Sequence, residues 1–558
     1  MYSPDSTPRP SVYYDYQIYP FQTPPELRSE TRRYPVVIVG AGPIGLVAAL
    51  ELARYGMSVV VISAEVQVSH GSRAIVFTRR SMEILQQVGI SERMLEKAYP
   101  WRSGNSIYRG QRVFRLEAPY DEDDRFQPLN NLQQQYVEQY LVEQAQQNPL
   151  IELRWGSKVL GVQSFTDHAE LQIDTPAGEY NLSCDWLIAA DGAKSTIRQE
   201  LGLRMEGASY RGRFVIADIK IDIPWPTERL AYFDPEWNRG NTILMHRQPE
   251  GIWRLDYQLP PNETPEQALA PESLNARIQA QLDMVGITAP WELDWCSVYS
   301  ARAMTLPDYI HQRIIFTGDA AHMLPIFGVR GANTGFQDAQ NLAWKLAMLL
   351  KGIGTPELLA TYTSERVIAA QEIIAEASKS TRFMAPPDRG FRLLRDAVLS
   401  LSLTQAFVRP LFHWRTSRPH DYHESILNAA NDDNAKFTAG PAHGMPLQNI
   451  RLGENDYLFD HLGAAFHLLY FTDQAVPESI LQQVADLEEQ GIPIQVLSIG
   501  SGQNLVDSAE HFAKRYDAQS GTAYLVRPDQ HVCARWKNVT AEQVKAAAYQ
   551  ALGQGVGV

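Results

Sequence analysis

Three glycine-bearing stretches of this 558-residue sequence carry residue types able to hold a phosphorylated cofactor. The first, Gly40-Ala-Gly42-Pro-Ile-Gly45, follows a β-branched run at residues 34–39 and opens an apolar helical pattern over 43–55. In a strand–turn–helix, Gly40 permits the tight turn, Gly42 lets backbone approach a pyrophosphate, and Gly45 allows close helix–strand packing. Amides at the helix start then point at the phosphates. The spacing predicts dinucleotide binding. A second strand is expected over 57–62, and its end should offer an acidic group to the adenosine ribose. Ser63 fills that slot and Glu65 lies two residues beyond, so either one could make the contact.

The other two stretches lie far along the chain. Asp191-Gly192-Ala-Lys-Ser195-Thr-Ile-Arg198 directly follows the apolar strand expected at 186–190. Thr317-Gly318-Asp319-Ala-Ala-His322 leads into Pro325-Ile-Phe-Gly328-Val-Arg-Gly331-Ala332-Asn333-Thr-Gly335-Phe-Gln-Asp338. A carboxylate at a strand end, Asp319, can accept hydrogen bonds from hydroxyls. The turn Gly331-Ala332-Asn333 enters a helix expected over 334–351, whose N–H groups and dipole would stabilise negative charge on a bound ring. Asp319 could equally be a helix cap, and Asp191 with Arg198 an ion pair. For His322 local packing is the expectation, and Leu342, Leu346 and Leu349 read as core.

The elements that must position these residues alternate β-α-β at 34–62, then give way to short strands at 151–190 and aromatic-rich strands at 211–300. Residues 1–34 are rich in proline and tyrosine and read as a tail or a surface strap. Helices are expected over 356–418, a linker at 428–445, and a β-α-β then β-β-α unit from 446 to the end. The acidic run Asp121-Glu-Asp-Asp124 reads as a solvated loop without a metal-ligand pattern. The formal net charge of −14 argues against nucleic-acid binding. No apolar run approaches a membrane span, and no secretory leader pattern opens the chain. Cys184, Cys296 and Cys533 are widely spaced, which excludes a disulfide framework or a cysteine-built metal site and suits a reducing cytoplasm.

All three stretches, in this order, closely resemble the fingerprints of the single-component FAD-dependent aromatic hydroxylases, of which p-hydroxybenzoate hydroxylase is the prototype. Arg73 with Ala74, and Gln134, match positions at which that family contacts FAD. The layout is most similar to the phenol and 3-(3-hydroxyphenyl)propionate hydroxylases. The resemblance implies an α/β fold: a Rossmann-like FAD-binding domain (35–210 and 301–427) with an antiparallel-sheet substrate domain (211–300) inserted in it. It also implies a C-terminal thioredoxin-like domain (446–558). At the place where a redox version carries C-x-x-C, this chain has Thr472-Asp-Gln-Ala-Val-Pro. That domain is therefore expected to stiffen the enzyme or help form a homodimer.

The implied activity is monooxygenation of a phenolic or related aromatic compound. NAD(P)H reduces FAD, and O2 adds to give a flavin C4a-hydroperoxide. The alternative is an oxidase or dehydrogenase on the same scaffold; a halogenase would carry a W-x-W-x-I-P stretch, which is not found. FAD contacts are expected from Gly40, Gly42, Gly45, Ser63, Glu65, Arg73, Gln134, Asp191, Gly192, Gly318, Asp319, Gly331, Ala332 and Asn333, with no metal. For substrate, two strands at 242–248 and 252–259 draw attention to His246 and Arg254, and the downstream loop to Pro325. One reading makes their face a solvated exterior, with Arg254 and Asp256 as a surface pair. The other turns it into the active site, where His246 takes a phenol proton and Arg254 anchors a carboxylate.

Overall fold

The β-branched runs at the start of the chain are built for burial on both faces, and a computed structural model places them at the centre of a parallel sheet. It describes the chain apart from residues 29, 261, 326, 413–417, 431, 507–510 and 556–558, and the side chains of residues 211 and 511. Parallel strands run side by side in the order Ile151–Arg154, Val59–Ile62, Arg33–Val39, Gly178–Ala189, Ile314–Phe316. Helices Pro43–Arg54, Gln134–Gln146 and Gly331–Leu350 pack together over this sheet. The chain leaves Arg33–Val39 to one side for Val59–Ile62 and returns to the other side with Gly178–Ala189. Such a switch point opens a crevice at the carboxyl ends of the strands.

A second, largely antiparallel sheet joins the first beside Asp319, where strand Trp291–Thr305 pairs with His322–Met323. Its strands include Glu206–Ile221, Trp291–Thr305, Ile252–Gln258, Thr242–Arg247 and Arg229–Phe233. It extends beyond the expected 211–300, because Ser103–Tyr108 adds in parallel to Arg229–Phe233. That short polar strand has little alternation and gave no signal. Side chains alternate along each strand. Val215, Ala217, Met245 and Leu255 face helix Pro271–Met284, while the opposite face packs Phe214, Phe233 and Leu244 against Phe383 and Met384 of helix Pro356–Met384 and Val398 and Leu399 of helix Arg389–Ser402.

Residues 1–28 form a strap in which Tyr14, Tyr16 and Tyr19 are buried. Tyr19 stacks on Trp155 at 4.6 Å, and Asp294 accepts hydrogen bonds from Ser11 Oγ and the Val12 amide.

Towards the C-terminus, strands run in the order Ile494–Ile499, Phe466–Phe471, Ala523–Val526, Val532–Trp536, the first pair parallel and the rest antiparallel. The segment expected as a linker lies along the last strand, with Ala429 N donating to Cys533 O and Gly444 N to Val532 O. Part of the helix expected near 506–516 falls outside the described residues, which show His511–Arg515. The acidic loop is not simply solvated: Asp121 and Asp123 meet Arg515 and Asp123 meets Arg451 of the C-terminal unit, while Asp124 pairs with Arg79. Charge complementarity across sequence-distant elements cannot be read from one loop.

Candidate active site

Strand ends converge on the crevice. Gly40 has φ +115°, and a Cβ there would meet the Ala190 carbonyl oxygen at 2.3 Å. A Cβ on Gly45 would lie 2.0 Å from the Gly40 carbonyl oxygen. Both glycines are there because strand and helix touch. At Gly42 nothing lies within 4 Å of an added Cβ, and the helix that begins there has no side-chain cap. Its first amide donors are left open to an anion in the crevice. Ser63 is buried and its Oγ accepts the Glu65 amide at 3.2 Å. Glu65 itself pairs with Arg9 of the strap at 2.6 Å. Of the two expected ribose contacts, Glu65 is thus engaged by a segment that shows no element signal of its own.

The other end of the crevice is built from the two later stretches. Asp191 Oδ2 accepts the Ile197 amide at 3.2 Å, while Oδ1 is buried and has no hydrogen-bond partner among the described residues. Burial raises this carboxyl above the usual range. Arg198 does not pair with Asp191; it donates to the carbonyls of Ala193 at 2.7 Å and Ala320 at 3.0 Å, tying the two stretches together. Gly192 (φ +78°) has open space at its Cβ position. Asp319 follows Gly318, whose φ is +56°. Its side chain is accessible to solvent although protein surrounds it, so it faces into the crevice. Burial raises the Asp319 carboxyl, with the charges of His322, Arg73 and Arg198 opposing.

Behind Asp319 lies a buried clasp. Asp338 accepts the Gly318 amide at 3.2 Å, contacts His322 Nε2 at 2.6 Å and accepts Arg366 Nε at 2.7 Å. Burial alone would raise Asp338, yet His322 and Arg366 hold it down at about 2. His322 is thus a positioning group for the turn, as its expected packing role requires. Gly331 opens helix Gly331–Leu350 with open space at its Cβ position and no side-chain cap, and Ala332 is half-buried in the first turn. Asn333 turns inward: Oδ1 accepts from the Thr78 amide and Ser81 Oγ, and Nδ2 donates to the Val76 and Val329 carbonyls. It fixes the helix start rather than facing the crevice.

Arg73 is exposed in a loop held by Gln134, whose Oε1 accepts the Ala74 amide at 2.9 Å and whose backbone amide donates to Ser72 Oγ at 2.8 Å. Gln134 Nε2 is spent on Glu138 at 2.6 Å. The Gln134 side chain is a loop clasp.

The platform strands correct one expectation. His246, Arg254 and Asp256 share a face, but that face is buried, and Arg254 does not pair with Asp256. Arg254 Nε and Nη2 both bond Asp218, at 2.7 Å each, and the guanidinium also donates to the Ser72 and Arg73 carbonyls. With four of its five N–H donors spent, Arg254 holds the Arg73 loop to the sheet and has no two-pronged fork left for a substrate carboxylate. His246 lies 3.8 Å from Asp256, and burial, with Arg229 and Arg254 alongside, keeps its pKa well below the ordinary histidine value. A neutral imidazole of that kind is a poor proton acceptor. Asp218 went unnoticed in the sequence. Its signal was a charge at an inward position of the alternation Phe214, Ile216, Asp218. Pro325 is buried in the loop before Gly331; its neighbour Phe327 packs edge-on to Phe214 at 5.2 Å, and Phe214 stacks with Tyr299 at 5.7 Å. Among the described residues no three metal-ligating side chains cluster.

Two uncapped helix starts, a buried carboxylate oxygen without a partner and an accessible carboxylate deep in the crevice form one donor and acceptor set. It fits a ligand with a diphosphate centre, a hydroxylated chain and an electron-accepting ring, which is the chemistry of FAD.

Comparison with known proteins agrees. The family described as FAD binding domain matches residues 33–377. A "3-(3-hydroxy-phenyl)propionate/3-hydroxycinnamic acid hydroxylase" of Mycolicibacterium smegmatis is 26% identical over 458 residues, 81% of this chain and 79% of that protein. Its Klebsiella pneumoniae namesake is 27% identical over 525 residues, 89% of this chain and 91% of that protein. The flavin-dependent monooxygenase PieE, solved with FAD and substrate, superposes with a TM-score of 0.77 at 24% identity, covering 94% of this chain and 99% of PieE. Aklavinone-11 hydroxylase, solved with FAD and aklavinone, gives 0.76 at 23%, covering 94% and 100%. At those identities the superpositions speak for a shared fold. With a family match over more than half its length, the chain belongs to the FAD binding domain family, the family of the flavoprotein aromatic hydroxylases it resembles.

Proposed function

We propose that the protein is an FAD-dependent monooxygenase that hydroxylates a phenolic or related small aromatic compound, with NAD(P)H and O2 as co-substrates. The observation that supports this reading is Phe214, which stacks on Tyr299 and packs edge-on to Phe327 of the loop between Asp319 and Gly331, on the same sheet face as Asp256. Gly42 and the helix start behind it would take the diphosphate, Asp319 the hydroxylated chain, and the Gly331 helix start the ring edge that gains negative charge. When bound, FAD supplies the electron transfer and the activation of O2.

The chain supplies orientation and dryness. Phe214, Phe233, Phe327, Phe383 and Met384 form a buried cluster beside the platform that keeps water from the reacting ring. The C-terminal unit we read as thioredoxin-like and purely structural: Thr472 stands where a redox cysteine would, and burial pushes the Cys533 thiol up to about 12. Purified protein should be yellow and should oxidise NAD(P)H faster when a phenol is added, with hydroxylated product formed. NAD(P)H oxidation indifferent to every phenol of a broad panel would overturn the reading.

A further inference from the structure

The sheet face that carries Arg254 and His246 also holds an acid, Asp256, in a charged setting but, among the described residues, without a hydrogen bond to hold it. Asp256 is 8% exposed, and among the described residues no hydrogen bond reaches its carboxylate. Its place is fixed by register: Asp218 pairs across from Arg254, Ile216 from Asp256, and Phe214 from Gln258. Arg254 grips the Ser72 and Arg73 carbonyls, and Phe214 packs on Phe327. Asp256 therefore stands between two loops that border the crevice, one holding Arg73 and the other leading to Gly331. Its charged surroundings come from every neighbouring strand: His246 at 3.8 Å, Arg229, Arg254, Asp218 and Tyr299, with Tyr13 of the strap beyond Arg254. The nearby bases and acids are otherwise occupied. Asp218 is saturated by Arg254, and His246 is held neutral.

We propose that Asp256 takes the proton of the substrate's ring hydroxyl, an assignment that rests on the hydroxylase reading above. The hydroxyl O–H bond breaks, a carboxylic O–H bond forms on Asp256, and the electron pair stays on the ring oxygen. From there it enriches the ring carbon that is to be oxygenated. Burial first, with Asp218 adding and Arg254 and Arg229 opposing, pushes the Asp256 carboxyl up to about 7. A base must be ionised to act, so activity that depends on it falls as pH drops through that value.

The test uses the FAD-loaded enzyme, an Asp256→Asn variant, and a panel of alkyl- and carboxyalkyl-phenols beside their polyfluorinated counterparts, whose hydroxyl is already ionised at neutral pH. Asp256→Asn should slow product formation from the plain phenols by roughly 100- to 10,000-fold. It should slow the fluorinated ones far less, with flavin binding unchanged by fluorescence. In the wild type, the loss of rate toward acid pH should appear with plain phenols and vanish with fluorinated ones. That contrast decides the matter even if the variant fails to load FAD. Equal slowing of both classes, or of neither, would overturn the assignment to Asp256. No product from any phenol with the wild type would instead overturn the hydroxylase reading itself.

Discussion

Gly42 and Gly45 sit three residues apart, yet replacing them should fail in different ways. A Gly45→Ala methyl group would collide with the Gly40 carbonyl at 2.0 Å, so the parallel sheet itself must shift and the protein should lose stability. At Gly42 an added Cβ meets no protein atom within 4 Å, so Gly42→Val should fold normally, but its side chain would fill the space a diphosphate needs. Circular dichroism should match wild type while the flavin absorption is absent. Asp319→Ala should also fold, since its side chain faces the crevice rather than the core. Losing a charge-assisted hydrogen bond costs about 1.5–3 kcal/mol, so FAD affinity should fall roughly 10- to 150-fold, read by flavin fluorescence titration. Wild-type affinity in Asp319→Ala would return that residue to the role of a helix cap.

At the scale of elements, the strap is the part whose removal tests most. It buries Tyr14, Tyr16 and Tyr19, clamps Glu65 with Arg9, and bonds the loop that leads to Arg73, where the Gly71 amide donates to Tyr16 Oη at 3.1 Å and Tyr16 donates to the Ser69 carbonyl at 3.2 Å. Deleting residues 1–20 should cost on the order of 5 kcal/mol from the buried tyrosines alone. It should also weaken FAD binding, because the loop loses its support; thermal unfolding with and without added FAD separates the two effects. The sequence left tail and strap open, since proline and tyrosine without periodicity specify no element of their own. Elements with strong periodicity were legible: the strand at 33–39, the glycine turn and the helix from Gly331 lie within a few residues of expectation. Glycine spacing and strand-end carboxylates are local signals, so Gly40, Gly45 and Asp319 stand at the strand and helix ends where the sequence puts them, whereas Asn333 and Gln134 turn inward to clasp neighbouring loops. What escaped was contact across the chain. Arg254 pairing with Asp218 instead of Asp256, and Gln134 clasping the Ala74 amide, depend on which strands and loops become neighbours.

Across the whole molecule, the C-terminal unit is locked to the cofactor domain by buried charge. Glu365 of helix Pro356–Met384 meets Arg527 at 2.7 Å and Lys345 at 2.7 Å, and Arg527 also pairs with Asp529. Arg80 adds bonds to Gln530 and the Asp529 carbonyl. Burial would raise Glu365 and Asp529, but Arg527 first of all holds both carboxyls well below the usual range. Groups depressed in this way contribute stability that is present above the unfolded carboxylate pKa of about 4 and is lost as pH falls below it. Arg527→Ala should cost about 3–5 kcal/mol, because it strands buried acids, and should flatten the loss of stability toward acid pH in urea titrations. Isotopic oxygen reports the origin of the oxygen atom placed on the ring. The purified enzyme is given NAD(P)H, a phenol panel and heavy-isotope dioxygen in ordinary water, and the products are weighed by mass spectrometry. A hydroxylated phenol carrying one heavy oxygen atom is the expected product of a monooxygenase. A product whose new oxygen comes from water, or hydrogen peroxide alone with every phenol recovered intact, would contradict monooxygenation.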